Sequence, residues 1–105
     1  MNEISVTELA RRRDAGETFM LLDVREPDEV ATASIAWATT IPMGEIPERI
    51  GELPTDRPIY VMCHGGGRSA RVTMFLNQNG FEQASNVAGG IRDWSMSVDP
   101  TVPDY

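Results

Sequence analysis

Short, nearly continuous apolar runs alternate along this chain with segments of helical, amphipathic spacing. Phe19-Met20-Leu21-Leu22-Asp23-Val24 and Ile59-Tyr60-Val61-Met62-Cys63 have the pattern of strands covered on both faces, as in a parallel sheet. Ser5-Val6-Thr7-Glu8 has the form of a capping box and predicts a first helix through Asp14, ended by Gly16. Pro27 suits the first position of a short helix, with Asp28 and Glu29 in its first turn. A short strand is expected within residues 36–41, a short helix over 44–50 and a turn over 54–58. Residues 69–79 read as a helix with Val72, Phe75 and Leu76 on one face. Asn79-Gly80 should stop it, with Phe81 packing back over the end. Residues 84–87 form a further strand, and Gly89-Gly90 precedes a last helix reaching about Trp94. Residues 95–105, with Pro100 and Pro103, are expected to be an irregular tail.

This alternation predicts an α/β fold: a three-layer α/β/α domain with a central, mostly parallel sheet of about five strands. At 105 residues, one domain spanning 1–105 is the natural division. No apolar run approaches the ~20 residues that cross a bilayer, so no membrane partner is expected. Met1-Asn2-Glu3-Ile4 lacks the basic and apolar regions of a signal peptide, which predicts a cytoplasmic location.

Charge narrows the functional classes. The net charge is −7 and is spread along the chain, a field that repels nucleic acid. The one basic run, Arg11-Arg12-Arg13, reads as a solvated helix face. All nine basic residues are Arg, which excludes Schiff-base lysine chemistry and a Walker-type phosphate loop. The six Met residues are scattered and fit gap-filling in a core.

Cys63 is the only cysteine. That excludes an internal disulfide, a C-x-x-C redox pair and a multi-cysteine zinc site. One His without clustered acids gives no metal site either. Gly65-x-Gly67-x-x-Ala70 matches a dinucleotide fingerprint in form, but no acidic residue follows about twenty positions on for the ribose. No cofactor is expected.

The surroundings of Cys63 point to covalent chemistry. It ends a predicted buried strand, at the edge where open α/β sheets bind ligands. Gly65, Gly66 and Gly67 allow the backbone to curl so that successive N–H groups form an anion-binding nest. A helix N-terminus follows and adds free N–H groups and partial positive charge. Arg68 adds a cation with forked donors, either to hold a substrate oxyanion or to brace the loop. Ser69 is the expected helix N-cap, its hydroxyl also able to face the sulfur. His64 is expected to be an exposed loop residue whose N–H lines the nest. Such a setting favours a thiolate and a persulfide anion, and it suits double displacement of sulfur.

Cys63-His64-Gly65-Gly66-Gly67-Arg68-Ser69 resembles the active-site loop of the rhodanese family, C-x-x-G-x-R-S. Leu22-Asp23-Val24-Arg25 resembles the family's D-x-R segment, and Ile41-Pro42 its I-P pair. Asn86-Val87-Ala88-Gly89-Gly90-Ile91 followed by Trp94 resembles its closing segment. The resemblance covers nearly the whole chain in the expected spacing. It implies a rhodanese-like fold and sulfur transfer through Cys63. His64, Gly65, Gly66, Gly67, Arg68 and Ser69 would form the substrate-binding ring, and the donor would be thiosulfate or a protein persulfide. The chain departs from the family's G-H-I-x-G-A stretch, having Ala33-Ser34-Ile35-Ala36-Trp37-Ala38 there. The tail from Val98 to Tyr105 looks like the end of rhodanese domains fused to adenylyl-transferring enzymes, which makes a sulfur-carrier protein a candidate partner.

Two other readings compete. Cysteine phosphatases and arsenate reductases are weighed against by loop length, because C-x4-R is one residue shorter than the phosphatases' C-x5-R. A non-catalytic binding module is weighed against by retention of both the Cys and the cationic loop. Asp23 and Arg25 are expected in an ion-pair network, for example Arg25 with Glu29. Trp37 and Trp94 are expected to pack in or beside the core.

Overall fold

The computed structural model describes residues 1–105. Five parallel strands, β1 (Asn2–Ile4), β2 (Met20–Asp23), β3 (Thr39–Thr40), β4 (Ile59–Met62) and β5 (Ala84–Val87), lie in the order β1-β5-β4-β2-β3. β4 pairs with both β2 and β5 and so occupies the centre of the sheet. Five α-helices accompany it: α1 (Val6–Asp14), α2 (Pro27–Thr32), α3 (Ile46–Arg49), α4 (Gly67–Gln78) and α5 (Gly90–Ser97).

The two-residue period of the strands divides the core into two apolar layers. Leu21, Tyr60, Met62 and Val87 pack with Val6 and Leu9 of α1 and Ile91 and Trp94 of α5. Leu22, Ile59, Val61 and Ala84 pack on the other face with Ile46 of α3 and Val72 and Leu76 of α4. The three-layer α/β/α arrangement is therefore present, and every strand pair is parallel.

Most helix punctuation behaves as its chemistry requires. The Ser5 side chain accepts a hydrogen bond from the Glu8 N–H, so the first half of the capping box forms. Its second half does not, because the Glu8 carboxylate binds Arg11 and Arg12 instead. Pro27 opens α2. Phe81 folds back over the end of α4, its N–H donating to the Leu76 carbonyl.

Several expectations need correction. The segment 44–50 is not one helix: two 3-10 turns flank a four-residue α3, with Pro47 inside it. α5 does not stop at Trp94 but runs to Ser97, so the irregular tail begins later. Val102 in that tail is buried, and its carbonyl accepts the Ser95 hydroxyl. Met1, Met74 and Met96 are exposed and fill no gap. β1 lies outside the strands that the sequence pattern predicts: only Ile4 in it is buried, and it joins the sheet by pairing with β5.

Candidate active site

Cys63 follows β4 directly, at the C-terminal edge of the central strand. α4 and α5 both begin against the loop that it opens. The N–H groups of Ile91 and Arg92, in the first turn of α5, donate to the carbonyls of Cys63 (3.0 Å) and His64 (3.1 Å). The loop's carbonyls are thus drawn to α5, and its N–H groups face the other way. Gly66, the N-cap of α4, turns the chain at a φ of 111°, a left-handed conformation that a side chain rarely adopts.

The result is a ring of donors around one sulfur atom. The Gly66 N–H donates to Cys63 Sγ at 3.1 Å, and the backbone N–H groups of Arg68 and Ser69 add to the pull that favours its thiolate. The Ser69 hydroxyl is 3.3 Å from the sulfur. Burial pushes the Cys63 thiol up, but the donors from Ser69, Gly66 and Arg68 together outweigh it and bring the thiol below its ordinary value. Cys63 is only 1 % exposed. A Cβ at Gly65 or Gly67 would meet nothing within 4 Å, so no side chain stands over the loop at those two positions.

Ser69 is the third helical residue of α4, not its N-cap, because the helix starts two residues earlier than expected. That position turns its side chain inward, where it is fully buried. Its hydroxyl also lies 2.6 Å from Asn86 Oδ1, and it has one proton to give. Asn86 Nδ2 in turn donates to the Gly66 carbonyl at 3.3 Å. Asn86, on β5, therefore ties the two ends of the donor ring together. A buried Asn on β5 was the available signal for it.

Ser69→Ala should weaken this ring without altering Cys63 itself. The expected result is a shift of the Cys63 alkylation profile with iodoacetamide to higher pH, and labelling several-fold slower at neutral pH. An unchanged profile would show that the hydroxyl serves Asn86 alone.

The cations sit elsewhere than sequence spacing implied. Arg25 is fully buried and pairs with Asp23, its Nη2 2.7 Å from Asp23 Oδ2. The ion pair expected with Glu29 does not form; Arg25 reaches only the Glu29 carbonyl, at 3.3 Å. Arg25 also donates to the Ala33 carbonyl and to the Tyr105 hydroxyl. This fixes the start of the segment that departs from the G-H-I-x-G-A pattern. The Glu29 carboxylate instead takes Arg68 in a bidentate pair, at 2.6 and 2.9 Å. Arg68 therefore braces the loop with its guanidinium, while its backbone N–H serves the sulfur.

His64 is not an exposed loop residue. Its ring packs on Tyr105, with centroids 4.4 Å apart, and its Nε2 is buried without a partner. Trp94 is in the core, and Trp37 is partly exposed and packs edge-on against Trp94 and Phe19. No group of three or more His, Cys, Asp or Glu side chains is placed to hold a metal ion. No helix is long and apolar enough to cross a membrane.

The family model for the rhodanese-like domain matches residues 5–97. The chain is 36% identical over 102 residues to a protein of Allochromatium vinosum named sulfurtransferase, covering 97% of this chain and 95% of that one. It is 38% identical over 97 residues to YrkF of Bacillus subtilis, whose name proposes a sulfur-carrier role. That match covers 92% of this chain but 52% of the relative, so the chain spans about half of that protein's length. Among solved structures, a rhodanese-like domain protein from Staphylococcus aureus superimposes with a TM-score of 0.87 at 32% identity, covering 100% of this chain and 99% of the other.

Proposed function

The chain belongs to the rhodanese-like domain family, and on that premise we propose that it is a sulfurtransferase that carries sulfane sulfur as a persulfide on Cys63. The observation that carries this reading is the seat of Cys63 Sγ inside the curl of the loop, with the Gly66 N–H donating to it at 3.1 Å and the Ser69 hydroxyl 3.3 Å away. Donors aimed at a single atom stabilise negative charge on that atom or on one bonded to it.

The chemistry is a double displacement. The Cys63 thiolate attacks the outer sulfur of a donor; a sulfur–sulfur bond forms at Cys63 as the donor's own bond to that sulfur breaks. The donor's electron pair leaves with sulfite, if the donor is thiosulfate, or with a thiolate, if it is a persulfide. An acceptor nucleophile then takes the outer sulfur and regenerates the Cys63 thiolate. Each half-reaction transfers one sulfane sulfur and needs no cofactor. The ring amides hold charge at the sulfur before and after the first step, so little reorganisation is needed within the loop.

The shorter C-x4-R ring, filled by one sulfur and its donors, works against a phosphoryl or arsenate substrate. The name of the Bacillus subtilis relative and the resemblance of the tail to domains fused to adenylyl-transferring enzymes favour a sulfur-carrier protein as acceptor.

The test is intact-protein mass after incubation with a sulfane-sulfur donor. The expected product is heavier by one sulfur atom, and dithiothreitol returns it to the starting mass. A protein whose mass stays constant with thiosulfate and with cysteine persulfide alike would not be a sulfurtransferase of this kind.

A further inference from the structure

The positive charge beside Cys63 is already taken. Glu29 holds Arg68 through both of its carboxylate oxygens. It is itself held on three sides: the Tyr105 hydroxyl donates to Oε2 at 2.8 Å, the Glu26 N–H donates to Oε1 at 3.1 Å, and α2 carries its backbone. Tyr105 also accepts a hydrogen bond from Arg25 at 2.8 Å, and its ring lies against Arg25 and His64. The other nearby cation, Arg25, is neutralised by buried Asp23. Arg71 and Arg92 are exposed, where water and salt screen their pull on a small anion.

We infer that Glu29 is a specificity-determining positioning residue, which by occupying Arg68 selects a persulfide carried on a thiol over free thiosulfate as the sulfur donor. The inference rests on the sulfurtransferase reading above and narrows its donor. Thiosulfate is a dianion, and its sulfite end gathers a double charge as it leaves. An unpaired guanidinium would serve that end, but here it would first have to be withdrawn from a bidentate carboxylate. A persulfide carries at most one negative charge on its sulfurs against the two of thiosulfate: as R–S–SH reacts, Cys63 Sγ bonds to the outer sulfur, the R–S bond to it breaks, and R–S⁻ leaves with the electron pair.

Acidity does not loosen the clamp at working pH, because the hydrogen bond from Arg68 leads the contacts that hold the Glu29 carboxyl down to about 2.

The test measures steady-state sulfur transfer to dithiothreitol from two donors, thiosulfate and cysteine persulfide, in the full chain and in Glu29→Gln. The full chain should prefer cysteine persulfide in kcat/KM. Glu29→Gln should lower the KM for thiosulfate about tenfold, the change expected from freeing one charge-assisted pair. Its KM for cysteine persulfide should stay within a factor of about two. A gain with one donor cannot come from misfolding. Tyr105→Phe, which removes one of the bonds on Glu29, should move thiosulfate KM in the same direction by a smaller factor. Equal losses with both donors, or an unchanged thiosulfate KM, would overturn the inference and leave Glu29 a brace. Absence of transfer from either donor would remove the sulfurtransferase reading itself, which the mass measurement reports separately.

Discussion

Cys63→Ser is expected to retain the fold and to lose sulfur loading completely. A serine hydroxyl fits the space of the thiol within the ring formed by Gly66, Arg68 and Ser69. Its proton is far too tightly held for these donors to yield an alkoxide at neutral pH, and oxygen forms no stable analogue of a persulfide. The expected fall in transfer rate is at least about a thousandfold, the scale seen when an acting nucleophile is removed. The mass of the variant should not change with any sulfane donor. Because Cys63 is the only cysteine, residual loading could come from no other thiol, and its detection would end the assignment. A circular dichroism spectrum matching the parent would show that the loss is chemical.

Gly90→Ala should damage the site from outside it. Gly90 sits at φ 59°, and a Cβ there would lie 2.5 Å from the Cys63 carbonyl oxygen and closer still to that of His64. Both obstacles are backbone, and they cannot swing aside. The variant can relieve the overlap only by moving α5 away from the loop, which breaks the bonds from Ile91 and Arg92 that hold those carbonyls. Strain and overpacking together should cost about 3 kcal/mol of stability, read as a lower urea midpoint at unchanged slope. The freed carbonyls would no longer keep the loop's N–H groups on the sulfur. The Cys63 alkylation profile should therefore move to higher pH even in the fraction that stays folded. Gly51→Ala is the control, since a Cβ at Gly51 meets nothing within 4 Å. Equal stability and reactivity in Gly90→Ala and its control would mean that α5 does not anchor the loop.

These two substitutions mark different depths of legibility. Cys63 could be read directly because several local signals agreed on one loop: a buried strand, three glycines, an Arg and a helix start. Local chemistry also placed the starts of α1 and α2 and the end of α4, since Ser5, Pro27 and Asn79-Gly80 act within a few residues of themselves. Where the signal was not local, the expectation slipped. β1 is three residues long with one buried side chain, too short to show a period, and it exists because β5 offers it an edge. Residue type favours Ser69 as the N-cap, but Gly66 starts the helix because the left-handed turn there brings the chain around the sulfur.

The side-chain pairing around the site shows the same limit. An i, i+4 spacing puts Glu29 one helical turn from Arg25, a sound local argument, but Arg25 lies ahead of the N-cap Glu26 and outside α2. The fold instead buries Arg25 on Asp23 and brings Arg68 across from the start of α4, thirty-nine residues on, to claim the Glu29 carboxylate. Asn86 likewise gave no sign of its bond to Ser69, because β5 meets α4 only once the sheet has formed.

The sequence by itself determined the position of Cys63 at the end of a buried strand, the glycine-rich loop after it, the parallel α/β architecture and the family resemblance, because periodicity, turn chemistry and motif spacing are properties of neighbouring residues. Only the tertiary structure decided where the charge goes. The sulfur is served by backbone N–H groups because α5 draws the opposing carbonyls away. The Arg68 guanidinium pairs with Glu29 because the fold sets α2 against the start of α4. Both outcomes depend on which distant groups the sheet brings within hydrogen-bond distance, and no local pattern encodes that choice.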